Sequence, residues 1–327
     1  MYIADTLNHV IRLVNTTGTM TTYAGTGNFG YSGDGGLAIF AQLNEPHGVA
    51  VDGNDNVYIA DTNNNRIRLV DTSGNINTFA GSSDPAGYTG DHGDATDAKL
   101  NLPYGVAIDV NNNVFIADTF NNVIRLVDIN GIITTYAGKG TLGFSGDGKP
   151  ATSAEMYYPE KVAIDSKGNI YISDVYNHRI RMVPLKSKPK PGPKAPKPKP
   201  VPKGKSSYSI PVPGNITTFA GTGTPGSTTA VGNYAIDAPL YYPTDVAVDK
   251  NNNVFILDAY NNRVRLVTKN GIISDYAGDG NQGDFGDGGN ALHAQLNHPW
   301  GFALDGHRNI IYIADTNNNE IRKVFPV

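Results

Sequence analysis

Cysteine is absent from the 327-residue sequence. The fold therefore contains no disulfide, and thiolate metal sites and thiol nucleophiles are excluded. The chain also lacks an apolar run of 18 or more residues, so we expect no membrane span. No positively charged start precedes an apolar stretch, and no signal peptide is visible. A chain of this length can bury a core large enough to fold without disulfides.

Catalytic motifs are missing as well. None of the seven histidines forms a His-x-His or His-Glu-x-x-His pair. The chain contains neither a Gly-x-Ser-x-Gly elbow nor a phosphate-binding loop. The net charge is −4, and the basic residues of the repeats recur in paired positions rather than in one patch, which argues against sequence-specific nucleic-acid binding. We therefore expect a protein that is not an enzyme and needs no cofactor.

The chain contains an internal repeat, and a repeat of fixed period indicates the architecture more directly than local sequence patterns do. The phrase Asn-Val-Tyr-Ile-Ala-Asp-Thr-Asn-Asn-Asn-Arg-Ile-Arg at 56–68 has six related copies. In each copy an Asp precedes an Arg by seven residues, and successive copies are 56 or 57 residues apart except for one step of 84. The six pairs are Asp5 and Arg12, Asp61 and Arg68, Asp118 and Arg125, Asp174 and Arg181, Asp258 and Arg265, and Asp315 and Arg322.

Each period contains four strand-like segments, which we name a, b, c and d. In the second repeat they are 48–52, 57–61, 67–71 and 76–80. All four are short and β-branched or aromatic, and Asn, Asp, Gly or Ser bounds them, as is typical of strands joined by tight turns. Four antiparallel strands per repeat predict the blades of an all-β propeller.

The first repeat begins within strand b, and the last ends after strand c, so we count 22 strands. We expect the sequence to be a fragment of a longer chain. The alternative is that a neighbouring molecule supplies the missing strands, which would make the protein a self-associating structural subunit of a filament or other assembly.

The repeat residues resemble a known family. Pro46-x-Gly48-Val-Ala-Val-Asp52, Asn56-Val-Tyr-Ile-Ala-Asp61, Asn65-Arg66-Ile-Arg68 and Gly81 are similar to the NHL repeat, and the similarity covers nearly the whole chain outside one insertion. The resemblance implies a six-bladed β-propeller in a single domain over 1–327, with incomplete first and last blades. It also implies binding or scaffolding, since the family includes adhesion proteins, receptor sensor domains and RNA-binding propellers, with enzymes only among more distant relatives.

The insertion lies at 185–214, between strands c and d of the fourth repeat. Pro alternates there with eight Lys, so the rest of the chain carries about −12 (−4 minus 8). This composition predicts an extended, polyproline-II-like loop on the face opposite the Gly-rich d–a connections. It is either a tolerated surface insertion, a cationic tether for an acidic partner or polysaccharide, or a modified Pro-rich segment.

The charged repeats are predicted to be structural, because a catalytic group should occur once rather than six times. We expect the strand-b Asp to cap the b–c turn, and the Asp of the Gly-rich loops to cap the short helical turn that follows. The latter are Asp34, Asp91, Asp147 and Asp287. Calcium is an alternative ligand for these loops, although they lack the Asp-x-Asp-x-Asp spacing. We interpret His9 and His178, where other copies have Asn, as turn variation.

Single aromatic residues mark the candidate ligand-binding face. Phe120, Tyr176 and Tyr260 lie on b–c turns, and Tyr31, Tyr88, Phe144 and Phe285 lie on the Gly-rich loops. Exposed aromatics suit protein or carbohydrate recognition; the alternative is that they pack between neighbouring loops.

Two sequons, at Asn15 and Asn215, are candidate glycosylation sites and favour an extracellular or cell-surface location.

Overall fold

Six antiparallel sheets form a ring, as the repeats predicted. The computed structural model describes residues 1–82, 85–186, 210–227, 232–305 and 310–325. Each sheet is one blade of a six-bladed β-propeller. The strands of blades 1 to 3 are β1 (Tyr2–Asp5), β2 (Val10–Val14) and β3 (Met20–Ala24); β4 (Pro46–Val51), β5 (Val57–Asp61), β6 (Arg66–Val70) and β7 (Ile76–Ala80); and β8 (Pro103–Ile108), β9 (Val114–Asp118), β10 (Val123–Val127) and β11 (Ile133–Ala137).

The remaining blades follow the same order. Their strands are β12 (Pro159–Ile164), β13 (Ile170–Asp174), β14 (Arg179–Val183) and β15 (Thr217–Ala220); β16 (Asn233–Tyr234), β17 (Pro243–Val248), β18 (Val254–Asp258), β19 (Arg263–Val267) and β20 (Ile272–Ala277); and β21 (Gly301–Asp305), β22 (Ile310–Asp315) and β23 (Glu320–Val324). The prediction missed only the two-residue β16, which pairs with β20. Most of the predicted Lys/Pro insertion, residues 187–209, lies outside the described residues.

Strand a of blades 2 to 6 is innermost, because consecutive a strands pack against one another around the axis. Hydrophobic clusters fill the spaces between neighbouring blades. Between blades 3 and 4, for example, Phe115 and Tyr136 pack with Ile170 and Ile172. Burying one such side chain contributes roughly 1.5–3 kcal/mol, so the blades are held mainly by their apolar faces. Short 3-10 turns follow strand b, and none of the described helices has the length and hydropathy to cross a bilayer.

A buried ionic network repeats around the ring. The guanidinium of Arg125 in strand c is fully buried and lies between two carboxylates. Its Nη1 is 3.4 Å from Asp118 of strand b, and its Nη2 is 2.8 Å from Asp91 of the Gly-rich loop. We call this arrangement the Asp–Arg–Asp triad. Blades 2, 4 and 6 have the same triad around Arg68, Arg181 and Arg322.

The structure corrects both capping predictions. Asp61 accepts no backbone N–H of the following 3-10 turn. Its Oδ2 accepts from the Asn64 side chain of that turn at 2.9 Å, and its Oδ1 accepts from the backbone N–H of Asn44 at 2.7 Å, just before strand a. Asp34 likewise does not cap the turn at Ala38–Phe40, because its carboxylate binds Arg68 and accepts from Thr78 Oγ1. A buried guanidinium needs acceptors more than an exposed turn amide does. The loops proposed for calcium therefore use this Asp for an internal ion pair.

Blade 5 keeps the network with a substitute carboxylate. Its preceding connection has no Ser-Gly-Asp sequence. Asp275, on β20, pairs with Arg265 at 2.7 Å and Arg263 at 3.1 Å, while Asp258 holds Arg265 at 3.1 Å. The second carboxylate thus comes from a neighbouring strand when the loop lacks it.

We predict that Arg125→Met destabilises the fold by about 3–5 kcal/mol, because it leaves the buried Asp118 without its cation. Arg12→Met is the matched control: its side chain is 31% exposed and it pairs with Asp5 alone. That loss should be about 1 kcal/mol or less. Urea unfolding measures both free energies, and equal losses would contradict a buried-network role.

Candidate binding surface at the channel mouth

The b–c turns and the connections before strand a lie together on one face, where side chains tie each blade to the next. Thr62 Oγ1 donates to the carbonyl of Pro103 at 2.8 Å. Asn65 Oδ1 accepts from the N–H of Leu102 at 2.9 Å, which holds Leu102 in the left-handed region at φ 45°. These bonds fix the backbone that leads into strand a of the following blade.

The histidine variants serve the same purpose as Asn65. His178 has φ 53°, and its Nδ1 accepts from the N–H of Tyr242 at 3.2 Å. His9 Nδ1 accepts from Glu45 N in the same way at 3.1 Å. The position thus requires a left-handed residue that also carries a ring or amide acceptor, so it is an inter-blade contact as well as a turn.

Aromatic side chains from blades 3 to 5 form a continuous patch on this face. Phe120 stacks on Tyr158 at 4.6 Å between centroids. The chain of ring contacts continues from Tyr158 to Tyr176 at 5.0 Å, from Tyr176 to Tyr242 at 4.9 Å, and from Tyr242 to Tyr260 at 4.8 Å. We call this patch the aromatic rim; its members are Phe120, Tyr157, Tyr158, Tyr176, Tyr241, Tyr242 and Tyr260.

The rim contains three of the seven aromatic residues singled out in the sequence. Phe120, Tyr176 and Tyr260 are 39%, 42% and 41% exposed within it. The four rim tyrosines that sequence reasoning missed form two Tyr-Tyr-Pro sequences, where other repeats have Asn-Glu-Pro, Asn-Leu-Pro and Asn-His-Pro. This departure from the repeat is the sequence feature that could have identified the four tyrosines as candidate site residues.

The other four aromatic residues stand apart on their own Gly-rich loops. Tyr31 lies 3.8 Å beneath the Arg66 guanidinium, and Phe144 lies 3.8 Å beneath that of Arg179. Tyr88 shares a 2.7 Å hydrogen bond with Thr135. These three side chains contact residues of their own blade and remain about two-fifths exposed. Phe285 is exposed.

The residues that follow the Pro of strand a occupy equivalent positions around the channel. Those positions hold His47, Tyr104, Glu160, Thr244 and Trp300, and the next positions hold Gly48, Gly105, Lys161, Asp245 and Gly301. A Cβ on Gly105 would lie 2.3 Å from the carbonyl of Glu160, so the strands approach too closely there for a side chain. Only blades 4 and 5 place charged side chains in this ring.

This charged cluster is buried and only partly satisfied. Asp245 accepts from the N–H groups of Phe302 at 3.0 Å and Val246 at 2.7 Å. Glu160 is 6% exposed, and no hydrogen bond or ion pair joins its carboxyl to the residues that the structure describes. The hydroxyl of Thr244 is fully buried and without a partner in the same part of the chain.

Burial raises the pKa of Glu160 to about 8; Lys161 opposes the shift, and the charge of Asp245 adds to it. Burial also raises the pKa of Asp245, with Lys161 opposing. Burial first, and then charges that include Glu160, raise the pKa values of Tyr104 on strand a and of the rim residue Tyr176. Glu160 is therefore within electrostatic range of the aromatic rim. Among the described residues, no group of three His, Asp or Glu could hold a metal ion.

A concavity lies on the opposite face, among the a–b turns of blades 3 to 5. It has a volume of about 870 Å³ and an apolar lining that includes Ile108, Ile164 and Val248. Its aspartates, such as Asp165, are occupied by bonds within their own turns. The charged and aromatic groups described above are on the other face.

Comparison with family models matches all six blades. The model of the teneurin NHL domain matches residues 1–89 and 85–145, and that of the NHL repeat matches residues 156–181, 240–265 and 296–324. NHL repeat-containing protein 2 of Homo sapiens is 29% identical over 290 residues, which are 83% of this chain and 37% of that protein. Teneurin-1 of Mus musculus is 27% identical over 310 residues, with 83% of this chain and 10% of that protein covered. The chain thus spans well under half the length of both relatives.

Solved structures show the same fold. An auxiliary nutrient binding protein from Bacteroides thetaiotaomicron has a TM-score of 0.64 at 16% identity, covering 98% of this chain and 65% of that chain. A gluconolactonase from Xanthomonas campestris has a TM-score of 0.55 at 11% identity, covering 95% and 77%. At such identities the likeness concerns the fold alone.

The buried Glu160 generates a pH prediction. The pKa of Glu160 in the folded protein, about 8, lies above the ordinary value of 4.5. The stability that the protonated Glu160 carboxyl contributes is therefore fully present below pH 4.5 and is lost as the pH rises to about 8. Glu160→Gln should abolish this loss, so the variant gains on the wild type by up to about 1.4 kcal/mol per pH unit over that range. Urea unfolding from pH 4 to 9 measures the difference, with Asp55→Asn on an exposed turn as the control. Parallel curves for Glu160→Gln and the wild type would contradict the shift.

Proposed function

We propose that this chain, which belongs to the NHL-repeat family of β-propellers, is a non-catalytic recognition module that binds a protein or carbohydrate through its channel-mouth face. The aromatic rim is the observation that carries the proposal. Seven aromatic side chains from three blades meet there, and several of them keep about two-fifths of their surface exposed.

The rim has the properties of a binding surface. Tyrosine combines a large apolar face with a hydroxyl, and its side chain loses little conformational entropy on binding. The backbone beneath the rim is held by contacts such as that of His178 with Tyr242 N and that of Asn122 with Tyr158 N at 3.1 Å. A surface fixed before the partner arrives avoids part of the ordering cost of association.

The ion pairs of the Asp–Arg–Asp triads are consistent with a binding role. In the triads of blades 2 to 4 the arginine and the strand-b Asp form a buried ion pair, and the partly exposed loop Asp is bound to the same arginine. The lactonase of similar fold is matched at 11% identity, which carries no activity over to this chain.

The rim proposal predicts a loss of affinity. A glycan array and a set of purified extracellular domains provide the screen, and the tightest binder is then titrated by calorimetry. Joint Tyr176→Ala and Tyr260→Ala substitutions should weaken that binder at least about 30-fold, the effect of removing about 2 kcal/mol of hot-spot contact. Tyr234→Ala, at an exposed tyrosine on β16, is the control and should leave the affinity unchanged. Equal losses, or no ligand in either screen, would refute the proposal.

We also propose an extracellular or cell-surface location. Asn15 and Asn215 are the sequon residues, and both are exposed on c–d turns. N-glycosylation requires such exposed acceptors.

Secretion from eukaryotic cells should therefore give protein with a glycan at each of these two residues. Mass spectrometry before and after enzymatic deglycosylation measures the occupancy. Asn15→Gln and Asn215→Gln should each remove one glycan, whereas Asn111→Gln, on an exposed turn without a sequon, should remove none. Unmodified asparagine at both positions would count against the location.

A further inference from the structure

We propose that the channel mouth is a site for an organic cation, an ammonium or guanidinium group, held between the aromatic rim and the carboxyls of Glu160 and Asp245. This inference rests on the recognition function proposed above and specifies the chemistry that the face recognises. Such a group could be presented by a Lys or Arg side chain of a protein partner or by a free amine.

Two polar groups at the channel mouth, the Glu160 carboxyl and the Thr244 hydroxyl, have no partner among the described residues. A buried carboxyl and a buried hydroxyl without partners are costly, and native proteins rarely keep them without a reason. Glu160 and Thr244 occupy neighbouring equivalent positions on strands β12 and β17, which pack together around the axis. Both groups can accept a hydrogen bond from an N–H donor. A ligand that carries several N–H donors would satisfy them at once.

The charges at the channel mouth also favour a cation. Ionised Glu160 and Asp245 together carry −2, and Lys161 is the one cation whose field reaches both. No ion pair joins Lys161 to either carboxyl within the described ranges. Once Glu160 is ionised, the cluster has one negative charge more than Lys161 balances, in a chain whose net charge outside the Lys/Pro insertion is about −12 (−4 minus 8). An excess of negative charge attracts cations.

The chain also binds guanidinium groups of its own between carboxylates and an aromatic ring. The Arg68 guanidinium lies between the carboxylates of Asp61 and Asp34, and it is 4.9 Å from the centroid of the Tyr31 ring. Arg181 has the same surroundings, with Asp174, Asp147 and Phe144. Carboxylates together with an aromatic face are thus the protein's own guanidinium site. The channel mouth offers both components without an arginine between them.

Proton linkage distinguishes this site from a general acidic surface. The groups that face Glu160 are Lys161 on its own strand, Asp245 on β17, Tyr104 on β8 and Tyr176 in the adjacent turn. Because burial raises the pKa of Glu160 to about 8, its carboxyl holds a proton at neutral pH. A bound cation favours the ionised form, so binding should release a proton and strengthen as the pH rises toward 8.

The test uses n-butylammonium and n-butylguanidinium as probes and 1-butanol as the uncharged control, titrated by calorimetry into the full chain at pH 6.5 and 8.5. Both cations should bind more tightly at the higher pH. Repeating the titration in buffers of different ionisation enthalpy should reveal proton release. Glu160→Gln should weaken cation binding at least about tenfold, as expected for the loss of a charged hydrogen bond. Asp55→Asn, which removes the same charge from the opposite face, should change nothing.

Three results would overturn the inference: butanol binding as well as the cations, Glu160→Gln binding as well as the wild type, or no cation binding to the wild type up to about 100 mM, the weak limit for so small a ligand. Should Glu160→Gln fail to fold, proton release by the wild type still decides the matter. The two proposals can fail separately. A partner that binds the rim and is insensitive to Glu160→Gln would leave the recognition function intact and remove the cation site.

Discussion

The buried guanidinium of strand c is the constraint on which the rest of the propeller depends. Arg125 is fully buried, and its charge is acceptable only because Asp118 and Asp91 both reach it. One carboxylate belongs to the same blade, and the other belongs to the loop that leads into that blade. The ion pairs thus do what an apolar core cannot: they fix a glycine-rich connection that has few side chains of its own to bury. Blade 5 shows the strength of this requirement, since Asp275 serves there when the loop carboxylate is missing.

The candidate site is built on the same carboxylates. Besides binding its arginine, each strand-b Asp of blades 2 to 6 accepts from the backbone N–H two residues before the Pro of strand a. In blade 4 the N–H of Tyr157 donates to Asp174 at 2.7 Å, and in blade 5 the N–H of Tyr241 donates to Asp258 at 2.7 Å. The rim tyrosines are therefore attached to the network that holds the blades together. A surface supported in this way can stay rigid although it is made of turns.

The sequence predicted the blade count and the strands, because those features repeat and depend on local patterns. It did not predict the partners of the pairs. Asp34 lies 34 residues before Arg68, and nothing in the local pattern distinguishes that contact from a helix cap. Strand a carries a bulge after its Pro, as between Pro159 and Val162, which breaks the alternation that would have assigned Glu160 to a face. The rim was visible only in part, since Tyr158 and Tyr242 adopt a left-handed conformation that bulky residues seldom take.

A repeat protein offers a rule for separating structure from function: groups that serve the fold recur in every blade, and groups that serve a ligand depart from the repeat. His178 satisfies the rule as a structural residue, because Asn65 and Asn122 make the equivalent contact. Glu160, Lys161 and Asp245 stand at positions where other blades have neutral or glycine residues, or a histidine. A buried carboxyl without a partner also lowers stability at neutral pH, and proteins retain such local conflicts mainly where function requires them. At Glu160 the departure from the repeat coincides with burial that lacks a protein partner among the described residues.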